Sequence, residues 1–111
     1  MHGYQITFFT QQGRRHAGRP LADWLVQAAR DLGVHGATAV AAAEGFGHHR
    51  RIHSARFFEL ADQPVEVTMV ATAEETERLF AHLRAHKVHV FYARSPVEFG
   101  TIGEDDAQAE Q

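Results

Sequence analysis

Two alternating stretches, each running directly into a helix signal, constrain this chain more than any other feature of it. In the first, Tyr4, Ile6 and Phe8 fall on one side and Gln5, Thr7 and Phe9 on the other, the period of two expected of a strand. A loop punctuated by Gly13 and Gly18 follows. Pro20 then stands where a helix favours its first residue. Leu21, Leu25, Ala28, Ala29 and Leu32 recur at helical spacing, with Trp24 beside them and Gly33 at the end. In the second stretch Val65, Val67 and Met69 alternate with Glu66, Thr68 and Val70. It leads into Thr72-Ala73-Glu74-Glu75, a capping box in which the Thr and Glu side chains satisfy each other's free backbone donors. Leu79, Phe80 and Leu83 form the apolar stripe of that helix.

Each strand–helix unit needs a strand to return to. The small-residue run 37–43, bounded by Gly36 and Gly45, is of strand length. The last strand is placed at residues 88–93, with Val88, Val90 and Tyr92 on one face. The long connection 44–64 lies between the units, with Phe57-Phe58-Glu59-Leu60 as a short extended piece. The order βαββαβ predicts an α+β, ferredoxin-like fold: a four-stranded antiparallel sheet with two helices on one face. The domain is expected over residues 1–103, with residues 104–111 as an acidic, flexible C-terminal tail.

At 111 residues the chain is one domain. Cysteine is absent, which removes disulfides, thiolate metal sites and thiol catalysis. The alternating N-terminal residues do not read as a leader, and no apolar run approaches the ~18 residues of a membrane span, so the expected location is cytoplasmic. The net charge is −3. Glu104, Asp105, Asp106 and Glu110 account for the excess of acid, and the remainder is near neutral, unlike a general nucleic-acid binder.

The cations are clustered by chain order. In the predicted topology the connection after the first strand, the one between the second and third, and the one before the fourth all leave from the same end of the sheet. They carry Arg14, Arg15, His16 and Arg19, then His48, His49, Arg50, Arg51, His53 and Arg56, then His86 and Lys87. This is an anion-binding layout. Within it, Glu44-Gly45-Phe46-Gly47-His48-His49-Arg50-Arg51-Ile52-His53 is the most informative segment. Gly45 and Gly47 permit close backbone approach or positive φ, and arginine presents forked donors suited to phosphate or carboxylate. One reading is a phosphate-gripping loop; the other is a solvated surface loop with a glycine turn at its base.

His48, His49 and His53 offer a second chemistry, because imidazole suits divalent zinc, copper or nickel. Against it, His48 and His49 point apart in an extended segment, and no closed zinc spacing is present. The same question arises for His82 and His86, one turn apart, where the competing reading is imidazoles favoured by the helix C-terminal dipole. No nucleophile–base signature surrounds Ser54 or Ser95, so no catalytic residue is assigned and the chain is expected not to be an enzyme. Eight Phe, some on both faces of the first strand, point to a covered second sheet face, and association of copies is the simplest cover.

The Gly45-Phe46-Gly47 block, the basic and His-bearing run to His53, Phe57-Phe58-Glu59-Leu60, Asp62-Gln63-Pro64-Val65-Glu66-Val67 and Glu98-Phe99-Gly100 resemble a small bacterial and archaeal family. That family is catalogued as a domain of unknown function within the PII-like signalling superfamily. The resemblance runs from Tyr4 to about Gly103. It implies a homotrimer and a regulatory role, and the family's frequent neighbourhood to fluoride-channel genes implies a membrane transporter or channel as target. PII-like trimers bind adenine nucleotides in clefts between subunits, using a mobile loop between strands 2 and 3. By that likeness residues 44–55 are the mobile loop. Gly45, Gly47, His48, Arg50, Arg51, His53 and Lys87, with Arg14 and Arg15, are then the ligand-binding candidates. The effector implied is a small anion, an adenine nucleotide such as AMP, ADP or ATP, with no required cofactor. The segment before Lys87 lacks the phosphate-wrapping glycines of PII proteins. The alternative is a divalent-metal-binding trimer resembling the copper-tolerance proteins of the same fold, held by His48, His49 and His53.

Overall fold

The structure, a computed structural model, describes residues 1–41, 44–46, 52–54 and 63–103. Its elements are β1 (His2–Gln11), β2 (Arg15–His16), β3 (Arg19–Pro20), α1 (Leu21–Asp31), β4 (Gly36–Ala41), β5 (Glu44–Phe46), β6 (Ile52–Ser54), β7 (Pro64–Thr72), α2 (Ala73–Ala85) and β8 (Phe91–Glu98). The main sheet has the order β4-β7-β1-β8, antiparallel throughout. With β2–β3 and β5–β6 as separate two-stranded ribbons, this is the ferredoxin-like α+β architecture.

Alternation decides which face the helices cover. Ile6 and Phe8 of β1 and Val65, Val67, Met69 and Ala71 of β7 turn to one side and are buried. Leu21, Leu25 and Ala29 of α1 and Leu79 and Leu83 of α2 close on them. Removing a side chain such as Phe8 or Leu25 fully from water contributes about 1.5–3 kcal/mol, so these residues fix the register. A one-residue slip of β1 would turn Gln5, Thr7 and Phe9 into the core.

The helix ends follow local chemistry. Pro20 precedes α1 as its cap instead of being its first residue, and no side chain caps the helix. The Leu21 N–H donates instead to the Arg14 carbonyl at 2.8 Å, so the β2–β3 ribbon itself closes the helix start. At the other end Gly33 takes φ 75°. Its N–H reaches the Arg30 carbonyl while that of Val34 reaches Ala29, at 3.1 and 3.0 Å, the paired bonds of a Schellman stop. The capping box of α2 forms as expected between Thr72 and Glu75.

Two expectations need correction. The final strand is Phe91–Glu98, not 88–93. The Val88 N–H is spent on the Leu83 carbonyl at 3.0 Å, closing α2, so ladder pairing starts only where Phe91 meets Phe9. The loop after β1 is folded into the β2–β3 ribbon, with Ala17 (φ 52°) and Gly18 (φ 78°) as its two-residue turn, the left-handed pair of a type I′ hairpin. The connection expected as a mobile loop contains the β5–β6 ribbon, in which Gly45 faces His53. The extended piece 57–60 and the tail 104–111 lie outside the described residues.

The sheet face away from the helices is graded. One row across it reads Val40, Glu66, Phe9, Phe91; the next reads Thr38, Thr68, Thr7, Ala93; the next Gly36, Val70, Gln5, Ser95. Val40 and Phe91 are 58% and 59% exposed, and the Phe9 and Phe91 rings lie 5.6 Å apart.

Candidate functional site

Strand register determines where each connection leaves the sheet. Gln11 faces Pro64, Ala41 faces Val65 and Phe91 faces Phe9. The end of β1, the end of β4 and the starts of β7 and β8 therefore share one rim. The Gln12 N–H fastens two of these connections by donating to the Gln63 carbonyl at 2.9 Å.

The cations of the first and third connections meet there. The Arg14 guanidinium donates to the carbonyl of His89, tying the β1 exit to the segment before β8. Arg15 donates from Nη2 to the Gly18 carbonyl at 2.6 Å, holding its own hairpin. Lys87 stands just past α2 with φ 56°, in the left-handed region. Its N–H closes on the Arg84 carbonyl at 3.0 Å, so it occupies the position where helices ordinarily place glycine. A side chain there costs about 1–2 kcal/mol relative to right-handed backbone, and such cost is concentrated where side chains have work to do.

Beneath this segment lies a hollow of about 130 Å³ that opens to solvent, lined by Phe8, Phe80, Leu83, Arg84, Val88, Val90 and Tyr92. Its walls are aromatic: the Phe80 and Tyr92 rings meet edge to face at 4.9 Å and Phe8 lies 6.2 Å from Phe80. Two guanidiniums stand over them. Arg84 is 6.0 Å and Arg94 5.4 Å from the Phe80 centroid, and Arg94 is 4.8 Å from that of Tyr4. An apolar slot with cations at its edge suits a flat ring bearing a negative group.

On the other side of the α2 end, Trp24 is ringed by imidazoles. His82 stacks on it at 5.6 Å with 17° between planes, His86 meets it at 5.5 Å and 62°, and His16 at 4.8 Å and 75°. The spacing of His82 and His86 was legible in sequence, but Trp24 and His16 reach them only through tertiary folding.

At the opposite end of the sheet, Glu75 Oε1 accepts from the Thr72 N–H at 2.8 Å and lies 2.9 Å from His35 Nδ1. Burial opposes ionisation of Glu75 and is the largest single influence on it, but the hydrogen bonds from Thr72 and His35 and the attraction of His35 together outweigh it. The carboxyl is held below its ordinary range.

The structure thus brings Arg14, Arg15 and Lys87 to one rim. Gly45 and His53 face each other across β5 and β6, whereas Gly47, His48, His49, Arg50 and Arg51 lie outside the described residues. Among the described residues no group of three or more His, Asp or Glu has the geometry to hold a metal ion. Sequence reasoning missed the aromatic hollow and Arg94. Placing the last strand at 88–93 put Val88 and Val90 in the sheet instead of over the slot.

The comparisons agree with this frame. The family model DUF190, described as an uncharacterized ACR, matches residues 3–99. A UPF0166 protein of Aquifex aeolicus (strain VF5) is 26% identical over 80 residues, 71% of this chain and 76% of the relative. Among solved structures, a protein of Thermus thermophilus described as PII-like and signalling superposes with a TM-score of 0.63 at 17% identity, covering 87% of this chain and 88% of the other. CPII of Thiomonas intermedia K12, a nitrogen regulatory PII-like protein bound to ADP, AMP and bicarbonate, gives 0.58 at 16% identity over 87% and 89%. The fold of this chain is PII-like.

Proposed function

The chain belongs to the DUF190 family, and from that premise we propose that it is a regulatory, non-enzymatic, cytoplasmic subunit that takes a small anionic effector at the rim. The effector is an adenine nucleotide. The base enters the aromatic slot, and Lys87, Arg14, Arg15 and the cations of residues 44–55, Arg50 and Arg51 with His48 and His53, gather on the phosphate. Gly45 and Gly47 let the backbone of that connection come close. Copies associate as a trimer through the open sheet face, whose most apolar row ends at the same rim, and binding changes what residues 44–55 present to a membrane transporter or channel.

The observation that carries this reading is the junction of Arg14 with the carbonyl of His89, whose neighbours Val88 and Val90 line the Phe80–Tyr92 slot. It joins two cation-bearing connections at the mouth of an apolar hollow. The binding of ADP and AMP by CPII, a structure of the same fold, supports the choice of nucleotide.

A thermal-shift panel of AMP, ADP, ATP, cyclic AMP, zinc, copper and nickel tests it. A nucleotide at ~100 times its dissociation constant adds about 2.7 kcal/mol of stability, and Arg51→Ala abolishes that gain while His53→Ala reduces it less. A melt moved only by metals, with the histidine variants removing the shift, would overturn the nucleotide reading.

A further inference from the structure

Trp24 is the chain's single tryptophan, and three imidazoles from two other elements close around it. His16 comes from β2, His82 from the last full turn of α2 and His86 from its cap. Trp24, His16 and His82 are half-buried and His86 is exposed. The His82 and His86 ring centroids are only 4.3 Å apart. Core packing does not call for three titratable rings here; a leucine or phenylalanine would fill the same space at a lower desolvation cost.

The stack has the geometry of a cation over a π face. His82 lies nearly parallel to the indole, where an imidazolium is attracted by the negative ring face. His86, 4.3 Å away, would feel that charge as repulsion. The first proton taken up therefore tightens one contact, and a second strains another. Imidazole is the side chain best suited to such an exchange of protons.

The charged groups on the elements that meet at Trp24 are Arg15 and Arg19 on the ribbon, Asp23, Arg30 and Asp31 on α1, Glu74, Glu75, Glu77, Arg78 and Arg84 on α2, and Lys87 beyond it. The acids of α2 lie in its first half, so the ribbon and residues 78–87, which carry the three imidazoles, bear cations alone. Among the described residues the carboxylate–imidazole pair that forms, His35 with Glu75, lies at the opposite end of the sheet from these three rings. Charge added by protons thus stands among arginines, on the same helical turn whose other side, through Leu83 and Arg84, walls the slot. An anion bound at the rim would supply a counter-charge to it.

We propose that Trp24 with His16, His82 and His86 is a proton-responsive clasp between the β2–β3 ribbon and the end of α2, and that its protonation raises the rim's affinity for anions. The second half rests on the nucleotide reading; the first does not. By reciprocity an anion at the rim makes the clasp take up protons more readily, by the factor through which protons strengthen anion binding.

Indole emission reports directly on the clasp, because contact with imidazolium quenches it and no other tryptophan contributes. In the full chain, emission falls sigmoidally between pH 8 and pH 5.5, with far-UV circular dichroism unchanged. His82→Gln removes most of the amplitude, His16→Gln and His86→Gln reduce it, and His2→Gln leaves it intact. Emission flat with pH in the folded protein, or a transition surviving His82→Gln undiminished, overturns the clasp. Cyclic AMP probes the coupling, since its phosphodiester keeps one charge across this range. Its dissociation constant falls at least threefold from pH 8 to pH 6, and the fall disappears in His82→Gln. Binding equally tight at both pH values overturns the coupling. A rim that binds no nucleotide at any pH refutes the nucleotide reading and the coupling with it, while the emission titration still decides the clasp.

Discussion

Lys87 shows how one residue can carry opposed demands. Its backbone holds a left-handed φ at the stop of α2, where glycine is strain-free. Lys87→Gly is expected to raise stability by about 1 kcal/mol while weakening nucleotide binding, a pairing that urea titration and the thermal-shift panel read together. A Lys87→Gly chain that is less stable would refute the strain argument. Glu75 makes the converse case. Its carboxyl is held below the ordinary range in the folded chain, so the ionised form contributes stability that is fully present above the unfolded value and is lost as pH falls through the lowered folded value. Stability measured from pH 7 down to pH 3 is expected to decline in the parent, and Glu75→Gln to flatten that limb; an identical slope in both would remove Glu75 as the cause. The partners of Glu75 differ in legibility. Thr72 was readable three residues away as a capping box, whereas His35, 40 residues away, was not, because side-chain pairing across elements leaves no spacing signal.

Among the elements, those governed by local rules were legible and those governed by competition were not. β1, β7 and both helices follow from period-two and helical apolar spacing, and their faces from the same pattern. The start of β8 was misplaced because Val88 and Val90 alternate with Tyr92 like a strand while the backbone before Phe91 is committed elsewhere: to the α2 stop through Val88 and to Arg14 through His89. The β2–β3 ribbon hid behind Ala17, which takes a left-handed turn position usually given to Asn or Gly. Of the candidate site, the shared rim followed from strand order alone, because topology fixes where connections emerge. The aromatic slot did not, because it needs α2 and β8 in their folded places. Removal of the α2 cap tests how much the local signal matters: Thr72→Ala loses the hydrogen bond from the Glu75 N–H and is expected to cost about 1 kcal/mol, read as an unchanged urea slope with an earlier midpoint.

For the whole molecule the open sheet face is decisive. Its most apolar row, Val40, Phe9 and Phe91 interrupted by Glu66, sits nearest the rim. If that row joins copies, Phe91→Glu separates them, and light scattering reports a monomer mass where the parent gives three times that value. Nucleotide binding is expected to weaken in the same variant, since the proposed cleft needs a neighbour. A parent chain already monomeric at micromolar concentration would remove the trimer and the cleft with it.

The gradient on that face has a mechanical corollary. A copy laid against it meets oil at one pole and hydrogen-bonding groups at the other, so the joint grips at one pole and stays wet at the far one. If copies meet there, such a joint would behave as a hinge whose pin lies beside the proposed effector mouth, and a small guest seated there would have the greatest leverage over how the proposed ring splays.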